Sequence, residues 1–377
     1  MSLFKSQGSK IIFCATGIKS AVGGIASANT NVLAALEAVS QAQGLELQAL
    51  TLNENESEEK NYRAFGGRKL SFILALLTGM FRTRMMVFDH VRLALPILLI
   101  PKFLRPSIII FAHGSESCRR MRRTSMWLYR AADLVITNSD YTLKRMHGRF
   151  SGFNAVACPL GLPAQFAMTK SAVQEFNAGM SLDAVDAVSQ ELGDRILLLV
   201  ARMDTTEREK GHRELLAVFP KLVQEFPECQ LVFVGSGSDL PELVSIARAL
   251  PCASRIFIPG RVSSEQLEML YKKSFAYVMP SRQEGFGLAH LEAMNYAKPC
   301  LACHDDGAAE VVADGVTGLL VNQPIDLEEL EKAIALLLAN PEKAKAYGEA
   351  GWKRLSEKFT AEAYQQRLKK HILGVLG

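Results

Sequence analysis

At 377 residues, 49% hydrophobic and 22% charged, the chain has the composition of a soluble globular protein, which excludes a disordered, collagenous or low-complexity one. The length suits two domains of ordinary size better than one core. The formal charge of +4 hides an asymmetry: residues 1–174 hold 21 Lys and Arg against 10 Asp and Glu, a net of +11, and the remainder 22 against 29, a net of −7, so different partners are expected for each half. The first predicted element is a strand, Lys10-Ile-Ile-Phe-Cys-Ala-Thr16, followed by a loop ending in Gly23-Gly24 and a helix from about Ile25 to Val39. Strand, glycine loop and helix open a nucleotide fold. The loop lacks the G-x-G-x-x-G spacing, which argues against a dinucleotide.

Between Arg63 and Arg105 basic residues interleave with two apolar runs, Leu70–Leu77 and Leu93–Ile100. Neither approaches the ~20 residues of a spanning helix. Most of their residues read as core helices with Arg at the ends; the sharper expectation is that this basic half rests on an anionic membrane surface. Ser107-Ile-Ile-Ile-Phe-Ala112 is a buried strand ending in His113-Gly114, at the sheet edge where α/β folds bind ligands. Arg119 to Arg123 follow on a helix, either as a solvated face or as a contact for an acceptor phosphate or lipid. Asp133–Ser139 forms another strand, Val156–Pro163 the last strand and exit loop of the first domain, and a linker is placed at 164–192.

Arg195–Ala201 opens a second parallel sheet and leads into Arg202-Met-Asp-Thr-Thr-Glu-Arg-Glu-Lys210-Gly-His. Strands at Gln230–Gly235 and Arg255–Gly260 follow. Phe275–Met279 then runs into Glu284-Gly285-Phe286-Gly287, a helix from Leu288 to Ala297, and a strand at Pro299–Cys303. This is a parallel crossover unit. Gly285 and Gly287 let a ligand approach the backbone where the helix begins at Leu288, and the free N–H groups and helix dipole there favour a phosphate. Glu284 and Glu292 flank that point and are suited to gripping hydroxyls, which suggests a ligand with sugar, diphosphate and ribose; the plainer alternative is a solvated Glu292 and glycines that only shape a turn. Cys300-Leu-Ala-Cys303-His304 spells the c-type haem string, but it ends a strand with no export signal ahead of the first strand, and haem is not expected. Seven scattered cysteines suit a reducing compartment. The expected location is the cytoplasm, with peripheral contact to the inner face of the membrane left open. Amphipathic helices at about Leu327–Ala339, Pro341–Lys358 and Ala361–Leu376 close the chain.

The string Glu284-Gly-Phe-Gly-Leu-Ala-His-Leu-Glu292, with Gly307-Ala-Ala-Glu310 and Asp314-Gly-Val-Thr-Gly318 behind it, resembles the E-x7-E region of the family 4 retaining glycosyltransferases, which have the GT-B fold. The resemblance implies two Rossmann-like parallel-sheet domains facing a central cleft: an acceptor-binding domain at 1–170, a donor-binding domain at 171–355, and a C-terminal helix at 356–377 crossing back to the first domain. It further implies that His113 faces the donor sugar, that Arg202 and Lys210 meet the donor diphosphate, that Glu284 holds sugar hydroxyls and Glu292 the ribose. Gly23 and Gly24 would approach the diphosphate, and main-chain atoms near Val262 would read the base. The activity implied is transfer of a hexose-type sugar, with retention, from a UDP-sugar or GDP-sugar donor to a glycan or polyprenol-linked or other lipid-linked acceptor, in surface polysaccharide or glycolipid synthesis. So acidic a leaving group needs no general acid, no metal is expected because no Asp–Asp metal motif is evident, and neither a cofactor nor a nucleic-acid partner is expected. A catalytically silent sugar-nucleotide-binding subunit and a nucleotide-sugar epimerase are the alternatives. His290, Lys298 and Ala308 depart from the family pattern; none removes a charged catalytic position, but by the resemblance the first and last lie near the donor sugar and leave its identity open.

Overall fold

The computed structural model describes residues 8–18, 24–114, 121–163 and 192–377. Gly23, Arg119, Arg120 and residues 164–191 of the expected linker lie outside them. The chain divides into two compact units, Met1–Ala164 with Phe359–Gly377, and Gln165–Lys358.

In the first unit the order is β1 (Lys10–Ala15), α1 (Gly24–Gln43), β2 (Glu46–Thr51), β3 (Ser57–Glu59), β4 (Tyr62–Ala64), α2 (Lys69–Gly79), β5 (Thr83–Phe88), α3 (Leu95–Leu98), β6 (Ser107–Ala112), α4 (Arg123–Ala131), β7 (Leu134–Thr137), α5 (Asp140–His147) and β8 (Ala155–Ala157). The strands pair as β3-β4-β2-β1-β5-β6-β7-β8, and β3 with β4 is antiparallel. Continuous apolar runs make the central strands because both faces of a parallel sheet are covered. Ile12, Cys14, Met86, Phe88, Ile108 and Ile110 belong to one core with Phe72, Leu76, Ile97 and Leu128 of α2, α3 and α4. Residues of the other parity, such as Ile11, Phe13, Val87 and Ile109, are equally buried.

The second unit runs β9 (Ile196–Val200), α6 (His212–Glu225), β10 (Gln230–Val234), α7 (Leu240–Ala249), β11 (Ile256–Gly260), α8 (Ser264–Lys273), β12 (Ala276–Val278), α9 (Leu288–Asn295), β13 (Cys300–Cys303), β14 (Gly318–Val321), α10 (Leu327–Ala339) and α11 (Pro341–Lys358). Its sheet order is β11-β10-β9-β12-β13-β14, and all five pairings are parallel. Counting strands from β9, that is the 3-2-1-4-5-6 order of a Rossmann unit, with the order reversing between β9 and β12.

Several expected boundaries move. The first helix starts at Gly24 and runs on to Gln43, and the helix after the glycine loop ends at Asn295, where Ala297 turns left-handed with φ 51°. Cys300 and Cys303 are free thiols, fully buried within β13.

The last helix, α12 (Ala361–Leu376), packs on α1 within the first unit. Leu162 N–H donates to the Phe359 carbonyl at 2.7 Å, Arg367 reaches the Pro159 carbonyl and Arg84 that of Leu376, both at 2.8 Å. Gly161 makes the contact possible: a Cβ there would lie 2.3 Å from the Thr360 carbonyl oxygen. Leu368 is fully buried on this helix and Lys370 is exposed. Leu368→Ala is expected to cost about 2–4 kcal/mol in urea melts, and Lys370→Ala to stay within about 0.5 kcal/mol.

Candidate active site

Ligands of open α/β sheets lie beyond the carboxyl ends of the strands where the order reverses. In the second unit that point receives the loop after β9, which carries Arg202 and Lys210, and the loop after β12, which carries Glu284 to Gly287. The two loops are tied together. Arg282 N–H donates to the Glu209 carbonyl at 2.9 Å, and the Arg282 guanidinium meets Glu214 at 3.3 Å. Gly211, left-handed at φ 90°, has no side chain to strike Pro280, whose ring carbons would lie within 2.8 Å of a Cβ.

This docking brings Lys210 Nζ to 2.6 Å from Glu284 Oε2, with the two side chains 17% and 20% exposed. Burial disfavours both charges, yet their mutual attraction outweighs it: Lys210 titrates above the usual lysine value and Glu284 below the usual glutamate value. Gly285, Phe286 and Gly287 are buried around the turn, and Leu288 opens α9 half-buried. A third loop closes in from β13. Gly307 N–H donates to the Glu284 carbonyl at 2.9 Å, and a Cβ on Gly307 would fall 2.3 Å from the Gly285 oxygen.

Arg202 stands at the end of β9 with its side chain 73% exposed, held by Glu207 at 2.8 Å. Glu292 is no plain solvated helix residue. It is half-buried on α9 and accepts the Tyr271 hydroxyl of α8 at 2.8 Å, and burial raises its pKa. Tyr271 stacks on Tyr296 at 5.7 Å between ring centres. Val262 follows β11 at the sheet edge, just before the Ser263 capping box of α8; two strand spacings, about 10 Å, separate β11 from β9. His290, the departure from the family pattern, is fully buried edge-on to Tyr277 at 5.0 Å, and burial lowers its pKa to about 4.

Asp306 was not singled out from the sequence. Its side chain accepts the Ala308 N–H, and it is nearly fully buried. Burial and then the Glu284 charge push its carboxyl far above the ordinary range. Tyr271 was missed too, since its partner Glu292 is 21 residues away in sequence.

His113 belongs to the first unit, at the end of β6, buried with Nε2 2.9 Å from the Asp89 carbonyl oxygen. Asp89, itself fully buried at the end of β5, accepts from Thr16 N–H at 2.7 Å, Thr16 Oγ at 2.6 Å and Asn29 at 2.9 Å. Burial raises its pKa against those hydrogen bonds. These residues gather where β1 and β5 diverge, the corresponding reversal of the first sheet. Gly24 begins α1 beside them in sequence.

Two Rossmann-like units, the second with a glycine-lined helix start and a lysine–glutamate pair at its reversal point, define an α/β protein of the GT-B class. Comparison with known proteins agrees. Residues 185–354 match the family model "Glycosyl transferases group 1". The chain resembles sucrose-phosphate synthase from Thermosynechococcus elongatus with a TM-score of 0.74 at 20% identity, over 97% of this chain and 98% of that one. The Anabaena HepE protein in complex with UDP gives 0.73 at 16% identity, over 97% and 100%. Over 168 residues it is 32% identical to the GDP-mannose-dependent alpha-(1-6)-phosphatidylinositol monomannoside mannosyltransferase of Mycolicibacterium smegmatis, which is 42% of this chain and 43% of that protein. The chain spans about half or less of the length of the curated relatives it matches. Residues 185–354 thus resemble the group 1 glycosyl transferases, and the chain as a whole has the GT-B fold.

Replacing Lys210 with Met leaves a partly buried carboxylate without its cation, at a cost of about 1–3 kcal/mol at neutral pH. Because the folded pKa of Glu284 is lowered from 4.5, its contribution is complete above that value and is lost as the pH falls through the folded one. The raised pKa of Lys210 means the pair also weakens as the pH climbs through the lysine's folded value. The stability gap between wild type and Lys210→Met, read from urea melts, is expected to be wide at pH 7 and to close as the pH falls through the lowered folded value of Glu284. A gap that widens in acid contradicts the pairing.

Proposed function

We propose that the chain moves a hexose-type sugar from a nucleoside-diphosphate sugar to a glycan or lipid-linked acceptor, with retention and without a metal ion, in surface polysaccharide or glycolipid synthesis. The Lys210–Glu284 pair beside the start of α9 is the observation that carries this reading. A nucleoside diphosphate gathers negative charge as it leaves the anomeric carbon. Lys210, the exposed Arg202 and the N–H groups at Gly287-Leu288 are the groups that would receive that charge, the preorganised stabilisation that dominates many enzyme mechanisms. As the phosphate takes the lysine, Glu284 is released to accept donor-sugar hydroxyls. Glu292, already oriented by Tyr271, would take the ribose, with Val262 toward the base. His113 is the residue of the first unit that the family resemblance assigns to the donor sugar. The departing phosphate would take the acceptor's proton, so no separate general acid is required. A relative named as GDP-mannose-dependent and a structural neighbour holding UDP keep both donor bases open.

Steady-state transfer or donor hydrolysis with UDP- and GDP-sugars tests the reading. Lys210→Ala is expected to lower kcat by about 10²–10³, and a chelator to leave the wild-type rate unchanged. Turnover by Lys210→Ala at the wild-type rate sinks the assignment, and a rate abolished by chelation removes the metal-free part of it.

A further inference from the structure

The first unit leaves an apolar surface uncovered. Among the described residues eleven large hydrophobics are exposed, and eight of them fall between Leu70 and Trp127. They sit on α2 and the Met80–Arg82 turn that follows it, on α3 and its C-cap Leu99, on the turn Lys102–Leu104 and on α4. Helix α2 shows why. Phe72, Leu76 and Met80 point into the core, while Leu70, Leu74 and Phe81 repeat at helical spacing on the other side, 84%, 63% and 64% exposed. A helix apolar all round is normally covered on both sides. Helix α3 packs on α2 and on α4, so the layer is continuous, and it adds Leu99 at 69%, Phe103 at 64% and Trp127 at 45%.

Charge decides what covers it. From Arg68 to Arg130 the described residues include ten Lys and Arg and one carboxylate, Asp89, which is buried. Lys69, Arg82, Arg92, Arg122 and Arg123 are all exposed among the apolar side chains. A second copy of this chain meeting it about a two-fold axis would set these cations against themselves. An anionic bilayer satisfies both features: headgroups pair the cations, and the aliphatic and aromatic side chains enter the interface. No helix among the described residues is long and apolar enough to cross a membrane.

We propose that the face made by α2, α3, the 102–104 turn and α4 docks on an anionic lipid surface. The inference stands independently of the transferase reading, because docking needs neither donor nor turnover.

Flotation of the full chain with mixed phosphatidylglycerol–phosphatidylcholine vesicles, with pure phosphatidylcholine vesicles as the comparison, tests it. Wild type is expected to float with the anionic vesicles alone, and to be released as salt rises to about 0.5 M, where screening is nearly complete. Two triple variants, L74S/L99S/F103S and R82Q/R92Q/R123Q, are each expected to bind at least ~10-fold more weakly, since each basic residue contributes roughly five-fold. Their melting temperatures are expected to match wild type, and so is nucleotide binding. Absence of flotation with anionic vesicles at low salt overturns the proposal. So does equal binding to neutral vesicles, or flotation of both variants at the wild-type level. A wild-type dimer that L74S/L99S/F103S converts to a monomer, without vesicle binding, hands the face to a second copy.

Discussion

A lysine and a glutamate, each no more than one-fifth exposed, lie 2.6 Å apart where β9 and β12 part to opposite sides of their sheet. Neither charge is comfortable there alone. Withdrawal from water costs each several kcal/mol, and the neighbouring charge returns most of it only at close range. The surrounding loops are built to hold that range. Gly211 lets the Lys210 loop sit against Pro280, Arg282 bonds the Glu209 carbonyl, and Gly307 lets the third loop reach the Glu284 backbone. Two glycine contacts and a pair of main-chain hydrogen bonds thus place one cation at a helix start.

That start is not a simple basic pocket. Around Lys210 stand Glu284, Glu207 and Asp306, so an entering phosphate competes with carboxylates for one lysine. The competition is eased because burial, and then the Glu284 charge, hold Asp306 toward its neutral form. The orphan N–H groups of α9 add their own attraction for an anion. On the proposed reading, a ligand phosphate would replace Glu284 at Lys210 and leave Glu284 to accept a sugar hydroxyl, linking binding to positioning.

Much of this was legible in the chain. Ser107–Ala112, Ile196–Val200 and Gln230–Val234 are continuous apolar runs, and runs of that kind are what a sheet covered on both faces requires. The Glu284–Gly287 loop stood out through its glycines and carboxylate, and the structure sets it beside Lys210. Other features depend on pairings that no local pattern carries. β3 and β4 are three residues each and exist through pairing, β3 with β4 and β4 with β2. β5 begins in Thr83-Arg84, between two apolar runs, and its strand character comes from lying between β1 and β6. Asp306 and Tyr271 gain their roles from loops and helices distant in sequence. Leu70 and Leu74 read as core by composition, yet α2 has more apolar faces than the unit can cover.

The most direct test is a thermal-shift panel of UDP, GDP and ADP with their sugar conjugates on wild type and Glu292→Ala. Selective binding of one nucleotide to the folded state raises Tm by mass action. The account predicts that one base raises the melting temperature of wild type and that the rise is largely lost in Glu292→Ala. A nucleotide that stabilises both proteins equally would contradict the placement of the ribose on α9, and no shift with any of them would contradict a donor site at the β9/β12 reversal.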